Sequence, residues 1–330
     1  MDDEPRPSGH LEQSAKLINA TVLRRSRETA DVALLEIVAS EPEKLPPFTA
    51  GAHVDLHLPN GLVRQYSICN DPAEDDLYRF GVLMAGRSRG GSRAVHALKA
   101  GDMIRIGRPR NHFELVETAK NTLLIGGGIG VTPLMAMSYR LHSIGVPFEF
   151  IYCARSRLNA AFHKRLSTAQ FAGSVHWCFD KPDGSTGFDL QRLSVPDADT
   201  HLYVCGPRGF IDYVVGFANA AGWPQSNIHT EAFEPSVASK DDKEFTVVAQ
   251  RSGKTLKVRS DQTIAQALLE AGIAVTVSCE QGICGTCLVP ILDGEPDHRD
   301  RYQSELEHAT NSFVALCCSR SKSDALVLDI

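Results

Sequence analysis

The sequence predicts a multi-domain protein with an antiparallel β-barrel, an α/β domain built on a parallel sheet, and a smaller C-terminal domain. Short alternating apolar runs fill the first third of the chain, apolar runs alternate with helical patterns in the middle, and cysteines crowd the last part. A length of 330 residues allows two or three separate cores. We place the domains at 1–115, 116–233 and 244–330, with a polar linker at 234–243.

The first domain is predicted from period-two patterns separated by Pro, Gly and Asn turns, which are typical of a small antiparallel barrel. One short helix interrupts the strands. We expect Ser92 to be its N-cap and Gly101 to lie just past its end. The predicted strands cover residues 31–37, 53–58, 78–84 and 103–106.

The second and third domains differ in pattern. Strand and helix patterns alternate from about residue 120 to 230, which predicts a doubly wound parallel sheet. The third domain opens with a predicted hairpin across Arg251-Ser252-Gly253. Thr263 and Gln266 then form a capping-box pattern at a helix that Gly272 ends, and the strand ALVLDI is last.

Composition excludes several classes of protein. The net charge of -6 argues against a nucleic-acid or anionic-membrane partner. The chain has no apolar run near the roughly 20 residues that span a bilayer. Its acidic N-terminus lacks the segments of a secretory signal, so we expect cytoplasmic residence. Nine cysteines, an odd number crowded toward one end, favour metal or redox use over a disulfide framework.

The cysteine loop is the most specific motif. Cys279, Cys284 and Cys287 have the C-x4-C-x2-C spacing of plant-type 2Fe-2S clusters, whose fourth thiolate is expected well downstream. Cys317 or Cys318 supplies it, and the spacing does not decide between these neighbours. A structural zinc site is the alternative, but zinc modules usually pair two short cysteine hooks or use histidine.

A glycine-rich turn predicts a dinucleotide site. Gly128, Gly130, Thr132 and Pro133 lie between a predicted strand and a predicted helix, where glycines let a pyrophosphate approach and helix-terminal amides stabilise its charge. Val131 stands where a Rossmann fingerprint has its third glycine, so an ordinary strand-to-helix turn is the alternative.

Two charged residues bear on the choice of nucleotide. Arg155 and Asp180 follow predicted strands, at the edge where doubly wound sheets bind nucleotides. The acidic side chain favours the free ribose of NAD, whereas Arg155 and Arg157 favour a phosphorylated ribose. We expect NADH as the electron donor. Solvated loop charges are the alternative.

The segments SCEQGICGTC, GEPDHRD and CCSRSKSDALVLDI resemble the C-terminus of the family that includes phthalate dioxygenase reductase and vanillate O-demethylase reductase. The resemblance extends over nearly the whole chain. It implies a C-terminal β-grasp domain of the plant-type ferredoxin kind, and its Cys-x-Ser-Arg pattern implies Cys317 as the fourth ligand. We interpret residues 297–300 (DHRD) as a charged surface loop, because of their proline and glycine neighbours, with a metal or catalytic group as the alternative.

The flavin and nicotinamide motifs also resemble those of the ferredoxin-reductase superfamily. R-x-Y-S implies Arg64 near a flavin phosphate, Tyr66 against the ring system, and Ser67 as a donor near the reactive nitrogen, although a strand tyrosine is more often packing. The turn of Gly90, Gly91 and Ser92 suits a phosphate. The further residues implied are Cys205 beside the nicotinamide ring, Gly206 and Pro207 in contact with the dinucleotide, and Phe233 against the flavin, where a core phenylalanine is the alternative.

Together these parts predict an oxidoreductase, with Cys205 and Ser67 as its catalytic residues. A flavin is needed between the other two carriers because a nicotinamide gives up two electrons as hydride, whereas a 2Fe-2S cluster accepts one. The resemblance implies FMN rather than FAD, and a Rieske-type oxygenase as a transient partner. We expect a monomer. An FAD-containing reductase for another acceptor, a redox-sensing iron-sulfur flavoprotein and a zinc-stabilised flavoprotein are the alternatives.

Overall fold

A computed structural model describes residues 17–86, 90–181, 187–188, 199–233, 242–277, 280, 282, 285–300 and 302–330. Its first sheet has six antiparallel strands in the order β4-β3-β6-β1-β2-β5. Just past β4, the Cys69 amide donates to the Arg79 carbonyl of β5 at 2.9 Å, so the sheet curls toward closure. The strands are β1 (Ile18–Arg27), β2 (Val32–Ala39), β3 (His53–His57), β4 (Val63–Ser67), β5 (Tyr78–Leu83) and β6 (Met103–Ile106).

The short helix α1 (Gly91–Ala97) begins two residues earlier than the sequence predicts. Gly90 is its N-cap, at a φ of 98° that favours glycine, and no side chain caps the helix. The prediction of Ser92 as N-cap is therefore wrong. The Ser92 hydroxyl instead accepts a hydrogen bond from the Ala85 amide at 3.2 Å, which ties the helix to the end of β5.

The second sheet has five parallel strands in the order β11-β10-β7-β8-β9, as the alternating pattern predicts. Among the described residues, no helix is long and apolar enough to cross a membrane. The strands are β7 (Asn121–Gly127), β8 (Phe148–Ala154), β9 (Val175–Phe179), β10 (Thr200–Gly206) and β11 (Ile228–Ala232), and the helices are α2 (Val131–Ile144), α3 (His163–Ser167) and α4 (Arg208–Ala220).

The third sheet has the order β13-β12-β18-β14-β16, and β15 pairs separately with β17. The predicted hairpin and final strand are present, and the capping box of Thr263 and Gln266 starts α5 as predicted. The elements are β12 (Phe245–Ala249), β13 (Lys254–Val258), α5 (Ile264–Glu270), β14 (Leu288–Asp293), β15 (Pro296–Asp297), α6 (Glu305–Thr310), β16 (Phe313–Ala315), β17 (Arg320–Ser321) and β18 (Ala325–Leu328).

The barrel and one face of the parallel sheet share a single apolar core, whereas the third sheet has its own. Gly81 of the barrel shows how close the first two units lie. A Cβ there would come within 2.7 Å of Thr132 and 2.8 Å of Phe162. The Tyr203 hydroxyl adds bonds to the connecting chain, because it donates to the Glu114 carbonyl and accepts from the Val116 amide. These contacts fix the barrel against the parallel sheet.

The predicted linker falls mostly on residues 234–241, which lie outside the described residues. Asp242, the residue that follows this segment, packs against the third unit. Asp242 is almost fully buried and accepts two hydrogen bonds from the Arg299 guanidinium, at 2.9 and 2.5 Å. The folded part of the third unit therefore begins by Asp242.

Candidate active site

Strand β4 carries the three residues of the predicted flavin motif at one border of the barrel sheet. It pairs only with β3 in that sheet, with Tyr66 opposite Val54 and Ser67 opposite His53. Ser67 is buried, and burial raises the pKa of Tyr66 to about 12. Both hydroxyls are therefore un-ionised at neutral pH and can donate hydrogen bonds.

The structure brings Arg64 to the predicted phosphate turn. Its side chain lies across Gly91, where a Cβ would come within 2.7 Å of Cγ and 2.8 Å of Nε. The neighbouring Gly90 carbonyl accepts a weak bond from the Asn60 side chain at 3.4 Å, so the turn is held to the end of β3. A larger residue at position 91 would require the Arg64 side chain to shift. The arrangement fits an anionic group held between Arg64 and the start of α1.

The glycine turn between β7 and α2 fits a dinucleotide. Gly128 has a φ of 55°, and the space beside its Cα is open, so a phosphate can approach the backbone. Gly130 packs against the next strand, where a Cβ would lie 2.2 Å from the Cys205 carbonyl oxygen. Thr132 donates to the Ile129 carbonyl at 3.0 Å, and Pro133 is buried in the first turn of α2.

The Cys205-Gly206-Pro207 segment ends β10 directly beside that turn. Gly206 lies close to Gly127, and the Phe210 ring packs over both glycines. Pro207 is the N-cap of α4, and its carbonyl accepts from the Phe210 amide at 2.9 Å. The two glycine segments predicted separately therefore form one surface at the C-terminal edge of the sheet.

Ser67, Cys205 and Glu231 meet where the barrel adjoins the parallel sheet. Cys205 is opposite Glu231 in the pairing of β10 with β11. The Ser67 side chain lies close enough to the Glu231 carboxyl to lower its pKa, so the barrel meets the parallel sheet at this point. Burial raises the pKa of Glu231 to about 8, against the smaller opposite effect of the serine. The pKa of the Cys205 thiol is also raised, mainly because the thiol is buried and to a smaller extent because Glu231 lies nearby.

Glu231 is a residue of this junction that the sequence-based predictions did not include. Its signal was an acidic residue inside a buried parallel strand, two residues before the aromatic residue that did draw attention. That residue, Phe233, is half-buried and packs against the apolar core that also contains Cys205. Phe233 therefore lies on the side of the sheet that faces the barrel.

Arg155 and Asp180 lie together at another part of the same edge. They follow β8 and β9, and the Asp180 amide donates to the Ala154 carbonyl at 3.3 Å. Both side chains are exposed. The structure thus gives each of them access to a ribose bound at this edge.

The cluster motif is only partly described, since Cys279 and Cys284 lie outside the described residues. Cys287 and Cys317 are buried, and their chain segments are joined by a bond from the Leu316 amide to the Cys287 carbonyl at 3.2 Å. Cys318 is buried as well. Cys317 and Cys318, the two candidates for the fourth ligand, therefore both lie beside the cysteine loop.

The loop backbone fits a closely wrapped cluster. Gly282 has a φ of 74°, and a Cβ there would come within 2.5 Å of the Cys318 sulfur. Gly285 has a φ of 69° and lies under the Tyr302 ring, 2.5 Å from where its Cβ would be. Neither position accepts a larger residue without a shift. Buried thiols on such a tight backbone are the donor set that iron-sulfur clusters use.

Residues 247–322 match the family described as the 2Fe-2S iron-sulfur cluster binding domain. Vanillate O-demethylase oxidoreductase from Pseudomonas sp. (strain HR199 / DSM 7063) is 46% identical over 304 residues, which are 91% of this chain and 96% of that protein. The solved phthalate dioxygenase reductase is 31% identical, with a TM-score of 0.74 over 95% of this chain and 98% of that one. This chain belongs to the phthalate dioxygenase reductase family.

Membership of this family confirms the predicted fold class: a flavin-domain barrel, a nucleotide-domain parallel sheet and a C-terminal ferredoxin-like unit. The protein is an oxidoreductase, and relatives that are reductase subunits of oxygenase systems imply an oxygenase partner. The cluster-family match favours iron and sulfide over zinc. A self-sufficient cytochrome P450 monooxygenase is also similar, at 36% identity and a TM-score of 0.73, and this chain covers 41% of that chain.

The family segment DHRD is not the surface loop that the sequence analysis expected. Asp300 is buried, and it accepts from the Gln303 amide at 2.9 Å and bonds His308 at 3.2 Å. The His298 and His308 rings stack nearly parallel, with centroids 4.4 Å apart. The ligand atoms of His298, Asp300 and His308 lie within 4.8 Å of one another, close enough to bind one metal ion. Because Asp300 packs against Gly282, we interpret this cluster as a brace for the cysteine loop.

Proposed function

We propose that this reductase takes hydride from NADH onto FMN and passes single electrons through a 2Fe-2S cluster to a Rieske-type aromatic-ring dioxygenase or O-demethylase. The observation that carries the proposal is the contact of Ser67 with Glu231 beside Cys205. It joins the flavin motif of the barrel to the nicotinamide motif of the parallel sheet. A bound flavin would supply the conversion between two-electron uptake and one-electron release.

The residues of the parallel sheet would hold the nicotinamide dinucleotide. The open turn at Gly128 and Gly130 would receive the pyrophosphate, together with the start of α2 at Thr132 and Pro133. Asp180 would accept hydrogen bonds from the ribose hydroxyls, which favours NADH, with Arg155 at the same edge. Cys205, Gly206 and Pro207 would border the nicotinamide ring.

The barrel residues would hold the flavin. Arg64 and the turn of Gly90, Gly91 and Ser92 would bind a phosphate, which a mononucleotide places at its end. Ser67 would donate to the flavin ring, and Tyr66 and Phe233 would pack against it. The un-ionised Glu231 carboxyl behind Ser67 keeps the serine in place without adding a negative charge where electrons arrive.

The third unit would hold the cluster through Cys279, Cys284, Cys287 and Cys317. We place the units at residues 1–115, 116–233 and 244–330, with the linker at 234–243. We propose a monomer in the cytoplasm, where NADH is available, and a small transient contact with the oxygenase. The 46% identity to a vanillate O-demethylase oxidoreductase makes an aromatic O-demethylase the first partner to test.

Anaerobic titration of the purified protein with NADH tests the proposal. We expect the flavin absorbance to bleach first and the cluster absorbance to follow, and NADPH to react more slowly. Chromatography of the heat-released flavin should give FMN, and finding FAD would overturn that assignment. Zinc without labile sulfide, or a flavin that NADH does not reduce, would contradict the function itself.

A further inference from the structure

Among the described residues of the cysteine loop, Glu280 forms an ion pair with the barrel. Glu280 follows the first cysteine of the loop, and its Oε1 lies 3.3 Å from Nη1 of Arg64. The side chains are about one fifth exposed, 22% for the arginine and 16% for the glutamate. An ion pair shielded to this degree is screened less by salt than a pair on the open surface.

The backbone at Glu280 is shaped for this contact. Its φ of 56° lies in the left-handed region, which residues other than glycine rarely adopt. Two residues later the loop is fixed to its own unit, because the Gly282 carbonyl accepts from the Tyr302 amide at 3.1 Å. The turn at Glu280 therefore directs the carboxylate outward, from an anchored loop to the barrel.

Arg64 is positioned from its own side. Its Nη1 donates to the Val63 carbonyl at 2.8 Å, and the side chain is held over Gly91. Nη1 is the atom that faces Glu280, whereas Nε lies toward the start of α1. One guanidinium thus contacts the candidate phosphate turn along one edge and the cysteine loop at the other.

We propose that Glu280 is a positioning residue that docks the cluster loop beside the flavin by pairing with Arg64. The inference rests on the proposed function and deepens it. The arginine that would bind the flavin phosphate also holds the electron acceptor in place, so flavin binding and cluster docking are coupled through one side chain. Glu280 takes no part in hydride transfer.

Glu280→Gln tests this, since it keeps the size of the side chain and removes its charge. The matched control is Glu295→Gln, which breaks an exposed ion pair with Lys322 in the same unit. Stopped-flow mixing with NADH under anaerobic conditions follows the flavin and the cluster separately. We expect Glu280→Gln to slow cluster reduction about tenfold, the order expected on breaking a partly buried pair. Flavin reduction should stay within about twofold of the unmodified protein, the usual size of a surface effect.

A second measurement does not depend on turnover. Amide hydrogen exchange across the peptide that contains Glu280 should be faster in Glu280→Gln than in Glu295→Gln. If Glu280→Gln assembles no cluster, Arg64→Gln with excess FMN tests the same pair from the barrel side and should show the same loss of protection. Unchanged exchange in both Glu280→Gln and Arg64→Gln would overturn the proposal.

Two further outcomes are decisive. Equal cluster reduction rates in Glu280→Gln and the unmodified protein would overturn the docking role while leaving the reductase function intact. A flavin that NADH fails to reduce in the unmodified protein would instead contradict the proposed function. The two failures are therefore distinguishable.

Discussion

Glu231 is a buried carboxyl group that the sequence did not single out, yet it lies at the centre of the junction between the two nucleotide-binding units. Its closeness to Ser67 follows from the docking of β11 against β4, which come from different units, and its place opposite Cys205 follows from the pairing of β11 with β10. A sequence pattern does not reveal contacts between strands that are separated by more than 150 residues.

The raised pKa of Glu231 predicts a pH effect on flavin reduction. The Glu231 carboxyl is neutral below its pKa of about 8 and ionised above it. The negative charge of the ionised form would oppose the arrival of electrons at the flavin ring proposed to lie beside Ser67. We expect the rate of flavin reduction by NADH to fall as the pH rises through about 8. Glu231→Gln should give a flatter profile by stopped flow. An equally steep profile in that variant would exclude Glu231 as the titrating group.

The same shift has a consequence for stability. The folded-state pKa of about 8 is above the ordinary glutamate pKa of 4.5, so the folded state binds the proton more tightly than the unfolded state. The contribution of Glu231 to stability is complete below about 4.5 and is lost as the pH rises toward and through 8. As the pH rises from 6 to 9, the melting temperature of the unmodified protein should fall more than that of Glu231→Gln. A parallel decline would contradict the assignment.

Substitution at the adjacent cysteines decides which one binds iron. The family pattern favours Cys317, and both side chains are buried beside the loop. Cys317→Ser should abolish the cluster absorbance and the iron content, whereas Cys318→Ser, its matched control, should retain both. NADH should still reduce the flavin in each variant. A cluster that survives in Cys317→Ser but is lost in Cys318→Ser would reverse the assignment.

At the scale of elements, the turn between β7 and α2 depends on glycine for space. In Gly130→Ala the new methyl group would lie 2.2 Å from the Cys205 carbonyl oxygen, so the turn or β10 must move. We expect a loss of stability of about 1–3 kcal/mol, typical of overpacking. The KM for NADH should rise, whereas photoreduction of the flavin, which needs no nucleotide, should be unaffected.

Gly216→Ala is the control for that prediction. Gly216 lies in α4, and no atom is within 4 Å of the position of its added Cβ. Alanine there should raise stability by roughly 0.5–1 kcal/mol, because glycine is a poor helix residue. If Gly130→Ala were as stable as Gly216→Ala and its KM for NADH were unchanged, the close packing of the turn would not matter for stability or for NADH binding.

Elements with local signals were predicted well. The hairpin at the start of the third unit and the capping box of α5 depend on residues close in the chain, and both are present. The N-cap of α1 was predicted wrongly because the Ser92 hydroxyl bonds the Ala85 amide instead. The DHRD segment was placed on the surface although Asp300 is buried against the cysteine loop. Both errors come from tertiary contacts that override a local preference.

At the scale of the whole molecule, the apolar core of the third unit is separate from the two apolar clusters on the faces of the parallel sheet, which predicts two unfolding transitions. The barrel shares one of those two clusters with the parallel sheet. Loss of the cluster removes metal-ligand bonds from the third unit alone. In Cys317→Ser, scanning calorimetry should therefore show a lower temperature for one transition and little change in the other. One transition that moves as a whole would mean that the units unfold together.

The separation of the cores also bears on how such reductases could be rebuilt. The residues proposed for hydride transfer all lie in the barrel and the parallel sheet, so the third unit can be regarded as an exchangeable cluster unit. A similar arrangement forms part of a longer cytochrome P450 monooxygenase chain. A cluster unit taken from a distant relative and fused to this chain would need a carboxylate that reaches Arg64. Selecting donors by that one position offers a practical rule for assembling hybrid electron-transfer chains.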